Sequence, residues 1–518
     1  MSDRMRLMGM TSGMDTESIV QQLVSVKKTN VTNLKNDQKK LQWKQEQWQD
    51  LNKKIYGFYS SSLTELRFSS AYKKKTTKIS DTTKLSVVAG NDAPIGIQTM
   101  KINKLAKSGY ITGSKLGLNI TTDKDGKIEK RNWESGDKLS DITSDLVGKK
   151  ISIKVGQDAT VTPTEIEITS DMTISQFTNK LSAAGVNASF DSTNNRFFIS
   201  AKDTGKEKDF VITSDEITSG MSALAALGLE TDANKGGSAT RIEGQDAEIE
   251  LNGAKFESSS NTITINNNTY TLLGTTAADE EISVVTTNDF ESTYDTIKDL
   301  LSEYNEVINS IYKKYNADSA RKYNMLSDDE KEAMSDDEVE KWENTIKDSL
   351  LRRDSTLSTI MESLSEITTK GYDINGKTLH LSDFGIGTLS YFEAADDERR
   401  ALHIDGDKDD DKTNTKADKL KLALSKDPEE VADFFAAVCK DIYGKLDKLM
   451  ASTDYSSIYK VYNDKQLKKE YDDYTKKIKE AEQKLSDYED KWYDKFAAME
   501  TAMSKMQSNQ NAVSSMLG

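Results

Sequence analysis

Few residues in this 518-residue chain are of types that do chemistry, and their spacing argues against it. The two histidines, His380 and His403, lie far apart, and the single cysteine, Cys439, neighbours neither. A zinc site or a Cys–His pair would need donors brought together with no spacing motif behind them. Asp405, Asp407 and Asp409 open like an EF-hand loop, but its sixth position is Asp410 instead of Gly and its twelfth is Lys416 instead of Glu. The bidentate ligand is therefore missing, and a solvated acidic loop is expected. No G-x-x-x-x-G-K-[ST] and no G-x-G-x-x-G occurs, so nothing cradles a phosphate. The basic run YKKKTTK at 72–78 falls where helix gives way to strand and reads as a solvated hinge. Among 86 Asp and Glu, no pair stands out as an acid/base couple. No catalytic residue, cofactor or metal ligand is expected.

Composition points to shape instead. A formal net charge of −16 argues against a nucleic-acid binder and against an anionic membrane surface as the main partner. Only 36% of residues are hydrophobic, as in elongated chains with a large surface, and the length suits three or four units. Pro94, Pro163 and Pro428 are the only prolines, so 1–93 and 429–518 contain no helix breaker. Cys439, within FFAAVCK, reads as a buried thiol on a helix. The N-terminus has no apolar core or cleavage site of a Sec signal, and no stretch approaches a membrane span.

The elements follow from periodicity. Residues 1–15 read as a flexible tip, after which DTES caps a helix whose first apolar patch is Ile19, Val20, Leu23 and Val24. A sevenfold series then runs Leu34, Leu41, Trp48, Ile55, with Leu51 and Phe58 as its second row. The C-terminal tail repeats the pattern: Ile478, Leu485, Trp492, Met499, Met506, Val513. Two such stripes at opposite ends of a chain are natural mutual partners, because a narrow seam is buried only against another helix. Leu34, Leu41, Trp48, Ile55, Ile478, Leu485 and Trp492 are the expected intrachain seam. Between them, 76–288 turns to Thr, Ser, Asn and Gly with alternating runs such as ISIKV and AEIELNG, interrupted by one helix and hairpin near 173–205.

The expected fold is therefore α+β and multidomain: a discontinuous helical, coiled-coil domain from the two termini with an inserted β-rich head. The divisions expected are an N-terminal leg at 1–40, helical segments at 41–75 and 289–469, the head at 76–288 and a C-terminal leg helix at 470–518. Two capping boxes, Ser327 with Glu330 and Ser335 with Glu338, start short helices within the second helical segment.

Several segments resemble one family. SGMDTESIVQQLV at 12–24 looks like the N-terminal signature of the flagellar filament-capping family, hook-associated protein 2. YKKKTTKISDTTKLSVVAGNDAPIGIQTMKINKLAKSG resembles its join to the β head, with Ile97 and Met100 at places often aromatic or β-branched. TISQFTNKLSAAGVNASFDSTNNRFFISAKDTG is similar to a helix–hairpin unit of flagellins and hook-associated proteins. GQDAEIELNG, SSNTITINNNTYTLLGT, YDTIKDLLSEYNEVINSI, LLRRDSTLSTI, LSDFGIGT and KLKLALSKDPEEVADFF follow in the family's order. The segment NMLSDDEKEAMSDDEVEKWENTIKDS, with a helical insertion at 325–348, and the DGDKDDDKTNTKAD loop look like elaborations.

The resemblance implies a structural role at the distal tip of the filament, outside the cell, reached through flagellar type III export without a cleavable signal. It implies a ring-shaped homo-oligomer, a pentamer, that retains exported flagellin and shelters its folding and insertion. Its implied partners are flagellin, the hook–filament junction proteins and a cytoplasmic export chaperone, with no nucleic acid and no membrane. Ile19, Val20, Leu23, Met499, Met503, Met506, Val513 and Leu517 are then the expected docking residues toward the filament or a neighbouring subunit. Two other classes remain open from sequence. One is an extracellular coiled-coil adhesin with a β head, which would usually carry a Sec signal and an anchor. The other is a cytoplasmic enzyme with helical arms, which would need a convergent polar pocket.

Overall fold

The computed structural model describes residues 13–517 apart from 123, 125, 159 and 219; residues 1–12, and with them most of the expected flexible tip, lie outside the described residues. The chain divides into two compact units, one from the two terminal parts and one from 73–289.

The terminal unit is helical. Its N-terminal helix, Thr16–Ser60, runs unbroken through residue 40, where sequence had placed a boundary. Nothing between Thr16 and Ser60 interrupts it, because the segment holds no proline and a single glycine, Gly57, in its last turn. The C-terminal helix, Asp464–Leu517, likewise begins before the expected 470 and continues through 54 residues. Around their bases a core forms from Leu51, Ile55 and Phe58, from Ile297, Tyr304 and Ile308 of helix Phe290–Tyr315, and from Phe434, Phe435 and Ile442 of helix Pro428–Leu449. Helix Phe290–Tyr315 buries residues at three- and four-residue steps from Thr293 to Ile311, the stripe of a helix with one covered face. Pro428 opens its helix where no backbone donor is needed, and Asp427 accepts from the Glu430 amide at 3.0 Å. Cys439 is fully buried against the Tyr72 hydroxyl at 3.3 Å, and burial pushes its thiol up to about 12, so it stays protonated and inert.

The second unit is β-rich and has two cores of its own. A proximal lobe holds a five-stranded antiparallel sheet, in spatial order Lys75–Ile79, Ile282–Asn288, Gly96–Lys104, Ala247–Leu251, Ala254–Ser258. A three-stranded sheet, Thr262–Ile265, Asn268–Leu272, Leu85–Ala89, completes that lobe, and Met100, Ile102, Ile249, Tyr270 and Val284 share the buried core. Alternation sets which side chains enter: along Ala247–Leu251 every second residue is buried. Asn252–Gly253 and Asn266–Asn267 make the hairpin turns, all four with positive φ, as a two-residue turn of this twist requires.

The distal lobe, 110–243, is nested inside the proximal one. Its sheets are Thr240–Ile242, Tyr110–Thr112, Arg196–Ala201, Val186–Asp191 and, separately, Phe210–Ser214, Lys150–Val155, Thr164–Glu167. Helix Ile174–Ala183 starts at a capping box of Thr173 and Gln176 and sets Phe177 edge-on to Phe197 at 5.9 Å.

Candidate functional site: the paired terminal helices

The two long helices run antiparallel, and a ladder of contacts fixes their register. Gln38 Nε2 donates to Thr475 Oγ1 at 2.7 Å and to the Tyr471 carbonyl at 3.3 Å. Further out, Lys35 pairs with Glu482 at 2.6 Å, and the Lys27 ammonium lies 5.1 Å from the centre of the Tyr488 ring. At the far end the Tyr493 hydroxyl donates to Glu17 Oε2 at 2.7 Å. As numbers fall along one helix they rise along the other, nearly residue for residue.

Inside this ladder Val20 and Val24 are fully buried and Val31 nearly so. Leu34, Leu41, Leu485 and Trp492 are half-buried and Ile478 is buried, while Trp48 and Ile55 sit in the core of the helical unit. Trp48 stacks on Tyr462, in the loop leading to the C-terminal helix, with ring centres 5.3 Å apart. The second row differs from the expected one. Leu51 and Phe58 join the core of the helical unit, and the polar residues Gln38 and Asn52 turn toward the C-terminal segment. Asn52, only 4% exposed, donates to the Tyr459 carbonyl and accepts from the Val461 amide at 2.9 Å. A polar side chain in a seam costs stability and selects one register, since any slip leaves it unpaired. Sequence carried the signal: counting sevens from Val24 gives Val31, Gln38, Gln45 and Asn52.

A second residue passed over in sequence is Trp43. It is buried on a stretch flanked by half-buried or exposed residues, and Lys347 of helix Asp336–Ser349 holds its ammonium 4.8 Å from the ring centre. That helix, read as surface elaboration, buries its own Ile346, and Lys44 pairs with Asp354 just beyond it. The elaboration therefore braces the N-terminal helix near its root.

The C-terminal helix continues past Tyr493. From there to Leu517 it extends about 35 Å at 1.5 Å per residue. Met499 is half-buried, and Met503, Met506 and Val513 are 37%, 72% and 55% exposed. The side chain of Leu517 lies outside the described residues. On the other helix the expected docking residues separate: Ile19 and Leu23 are exposed, but Val20 is buried inside its own chain and offers nothing to a partner.

The description "Flagellar hook-associated protein 2 N-terminus" matches residues 12–109, and "Flagellar hook-associated protein 2 C-terminus" matches 244–508. The chain belongs to the flagellar hook-associated protein 2 family. Two curated relatives of that name are similar, each 24% identical. The one from Halalkalibacterium halodurans aligns over 62% of this chain and 64% of its own length, and the one from Thermotoga maritima over 68% and 53%. The chain thus matches between half and two thirds of these relatives' lengths. Among solved structures, the D1-D2-D3 domains of the flagellar cap protein FliD from Escherichia coli share the fold, with a TM-score of 0.50 over 77% of this chain and 94% of that one at 20% identity. The family is one of flagellar cap proteins, not of enzymes. Its two matched segments leave out 110–243, the distal lobe.

The residues that first suggested chemistry are engaged with one another. Lys298 places its ammonium between Asp407 at 2.9 Å and Asp409 at 2.5 Å, the position a cation would take in such a loop. His403 Nδ1 lies 2.7 Å from Asp410, and His380 belongs to a separate hairpin end. Among the described residues no three His, Cys, Asp or Glu converge as metal ligands, and no helix is long and apolar enough to cross a membrane.

Proposed function

We propose that this chain caps the distal tip of the bacterial flagellar filament, outside the cell, as a ring of identical copies. In this reading the β-rich unit contributes to a plate that retains exported flagellin and shelters its folding. The terminal helices reach toward the filament end or a neighbouring copy. An export chaperone before secretion and the hook–filament junction proteins during assembly are the further partners, and export needs no cleavable signal. The observation that carries the reading is the exposed apolar row on the outer half of the C-terminal helix, Met503, Met506 and Val513. Methionine's flexible, polarizable side chain suits a surface that packs against successive partners as a filament grows. Nothing in the fold or the comparisons supports the adhesin alternative, and it is set aside.

The test is the double substitution Met499→Asp and Met506→Asp in the full chain. Charge on a face desolvated in the assembly would cost several kcal/mol of docking energy, on the order of the penalty for burying an unpaired polar group. The expected result is normal secretion of the variant, release of unpolymerised flagellin into the medium and loss of swimming. Normal filaments with normal secretion would sink the docking role.

A further inference from the structure

The β-rich unit consists of two lobes with separate cores, joined where the chain crosses between them twice, near 105–110 and 243–247. Two short crossings between compact lobes ordinarily make a hinge. Here the crossings are bound to each other and to a wedge from the distal lobe. Lys107 and Gln245 exchange both backbone hydrogen bonds, at 2.8 and 3.0 Å. The wedge is 204–209: the Gly205 amide donates to the Lys107 carbonyl, the Lys206 amide to Asp246 Oδ1, and the Thr204 hydroxyl to the Ser259 carbonyl of the proximal lobe.

At the base of the wedge sits Asp209, 5% exposed. Its Oδ2 accepts from Arg241 Nη2 at 3.0 Å and from the Gly244 amide at 2.9 Å, and Oδ1 accepts from the Phe210 amide at 2.7 Å. Arg241 is held in turn by the Phe210 carbonyl at 2.6 Å and lies over the Phe210 ring at 4.9 Å. The surrounding positions leave no room for a side chain. A Cβ on Gly109 would fall 1.7 Å from Asp209 Oδ1, and one on Gly244 would fall 2.7 Å from the Gly205 carbonyl oxygen and 2.8 Å from Asp209 Cβ. Gly205 adopts φ of +107°, and a Cβ there would meet Ser259 at 2.5 Å. Gly109 and Gly244 are also where the two family matches stop and resume.

A buried carboxylate with three donors, packed against glycines on both crossings, cannot rotate away without leaving donors and a charge unpaired. We infer that Asp209 is a positioning residue that locks the distal lobe onto the proximal one at a single angle, turning a two-strand hinge into a rigid joint. A cleft of about 890 Å³, lined by Lys104, Asp209, Arg241 and Glu248 among others, lies beside the joint and would open or close if the lock were released. The fixed angle stands independently of capping; its use in holding a plate flat rests on the function proposed above.

The experiment places spin labels on the full chain at Ser192→Cys in the distal lobe and Lys255→Cys in the proximal lobe, both exposed. The native Cys439 is fully buried and stays unlabelled. Pulsed electron–electron resonance should give one narrow distance distribution. Asp209→Ala should broaden or shift it while near-ultraviolet dichroism shows both lobes folded. Gly244→Ala changes a crossing and neither core, and should do the same. A narrow, unshifted distribution in the folded variants would overturn the lock, and so would unfolding of the distal lobe in both, which would assign Asp209 to that lobe's own stability. Swimming is scored in the same strains. A broadened distribution with normal motility would keep the joint and remove the plate reading.

Discussion

Replacing Trp43 by Ala isolates the brace between helix Asp336–Ser349 and the N-terminal helix. A buried Trp removes about 150–250 Å² from water, which at about 25 cal/mol per Å² is worth roughly 4–6 kcal/mol as an upper bound. The Cβ that remains and the compactness of the unfolded chain reduce this to about 3 kcal/mol, at the low end of Trp→Ala costs in cores. Loss of the Lys347 ammonium above the ring adds about 0.5–1 kcal/mol, because Lys347 is only partly exposed there. Trp43→Phe should cost less than half as much. The assay is denaturant unfolding of the full chain, followed by far-ultraviolet dichroism for the helical unit and by strand signals for the β-rich one. With two compact units, the two need not melt together. The helical transition should move to lower denaturant and the β transition should stay. Hydrogen exchange should locate the loss in 336–349 and in the N-terminal helix around residue 43. A shift under about 1 kcal/mol, the scale of an ordinary surface substitution, would refute the brace. An equal shift of both transitions would show that Trp43 does not act locally.

Asn52→Ala should destabilise the helical unit by about 2 kcal/mol, because it strips the partner from the buried Val461 amide and from the part-buried Tyr459 carbonyl. Double-mutant unfolding against Tyr459→Gly, which relieves a φ of +64°, should show coupling between the two sites, and strict additivity would count against it. In the distal lobe, the Arg131 guanidinium paired with Asp137 holds that carboxyl below the usual range. A depressed folded pKa gives stability that is complete above the ordinary carboxylate value of about 4 and is lost as pH falls through the folded one. Thermal melts of the chain should therefore decline below about pH 4 for this lobe, and Asp137→Asn should flatten that slope.

How much of this was legible depended on whether a pattern was local. The long helices, the nested β region and the buried thiol all followed from spacing within a few dozen residues. The polar row of the seam was equally visible, since Val24, Val31, Gln38 and Asn52 keep the sevenfold step. A count of apolar positions skips it, because Gln38 and Asn52 are amides. Trp43 and Asp209 are a different case. One is covered by a helix roughly 300 residues later, and the other by glycines on two crossings far from it in sequence; neither has a neighbour whose spacing announces the contact.

The outer C-terminal stripe is best understood from the way its partner ends. The N-terminal helix is stopped deliberately. Gly13 takes a φ of +67°, which L side chains rarely adopt, and Asp15 caps the first turn by accepting from the Ser18 amide at 3.0 Å and its hydroxyl at 2.6 Å. Counting sevens back from Val20 gives Gly13, which has no side chain to add to an apolar seam. The opposing helix meanwhile keeps its period through Met499, Met506 and Val513. Its flanking residues there are mostly Gln, Asn and Ser, with only Glu500 and Lys505 charged, whereas the inner seam carries pairs such as Lys35 and Glu482. An exposed helix with no stripe would need only solubility, and a permanent coil would need a matching partner. A stripe kept apolar to the far end of the helix, built largely from methionine and exposed at Met503, Met506 and Val513, is what the proposed docking role rests on.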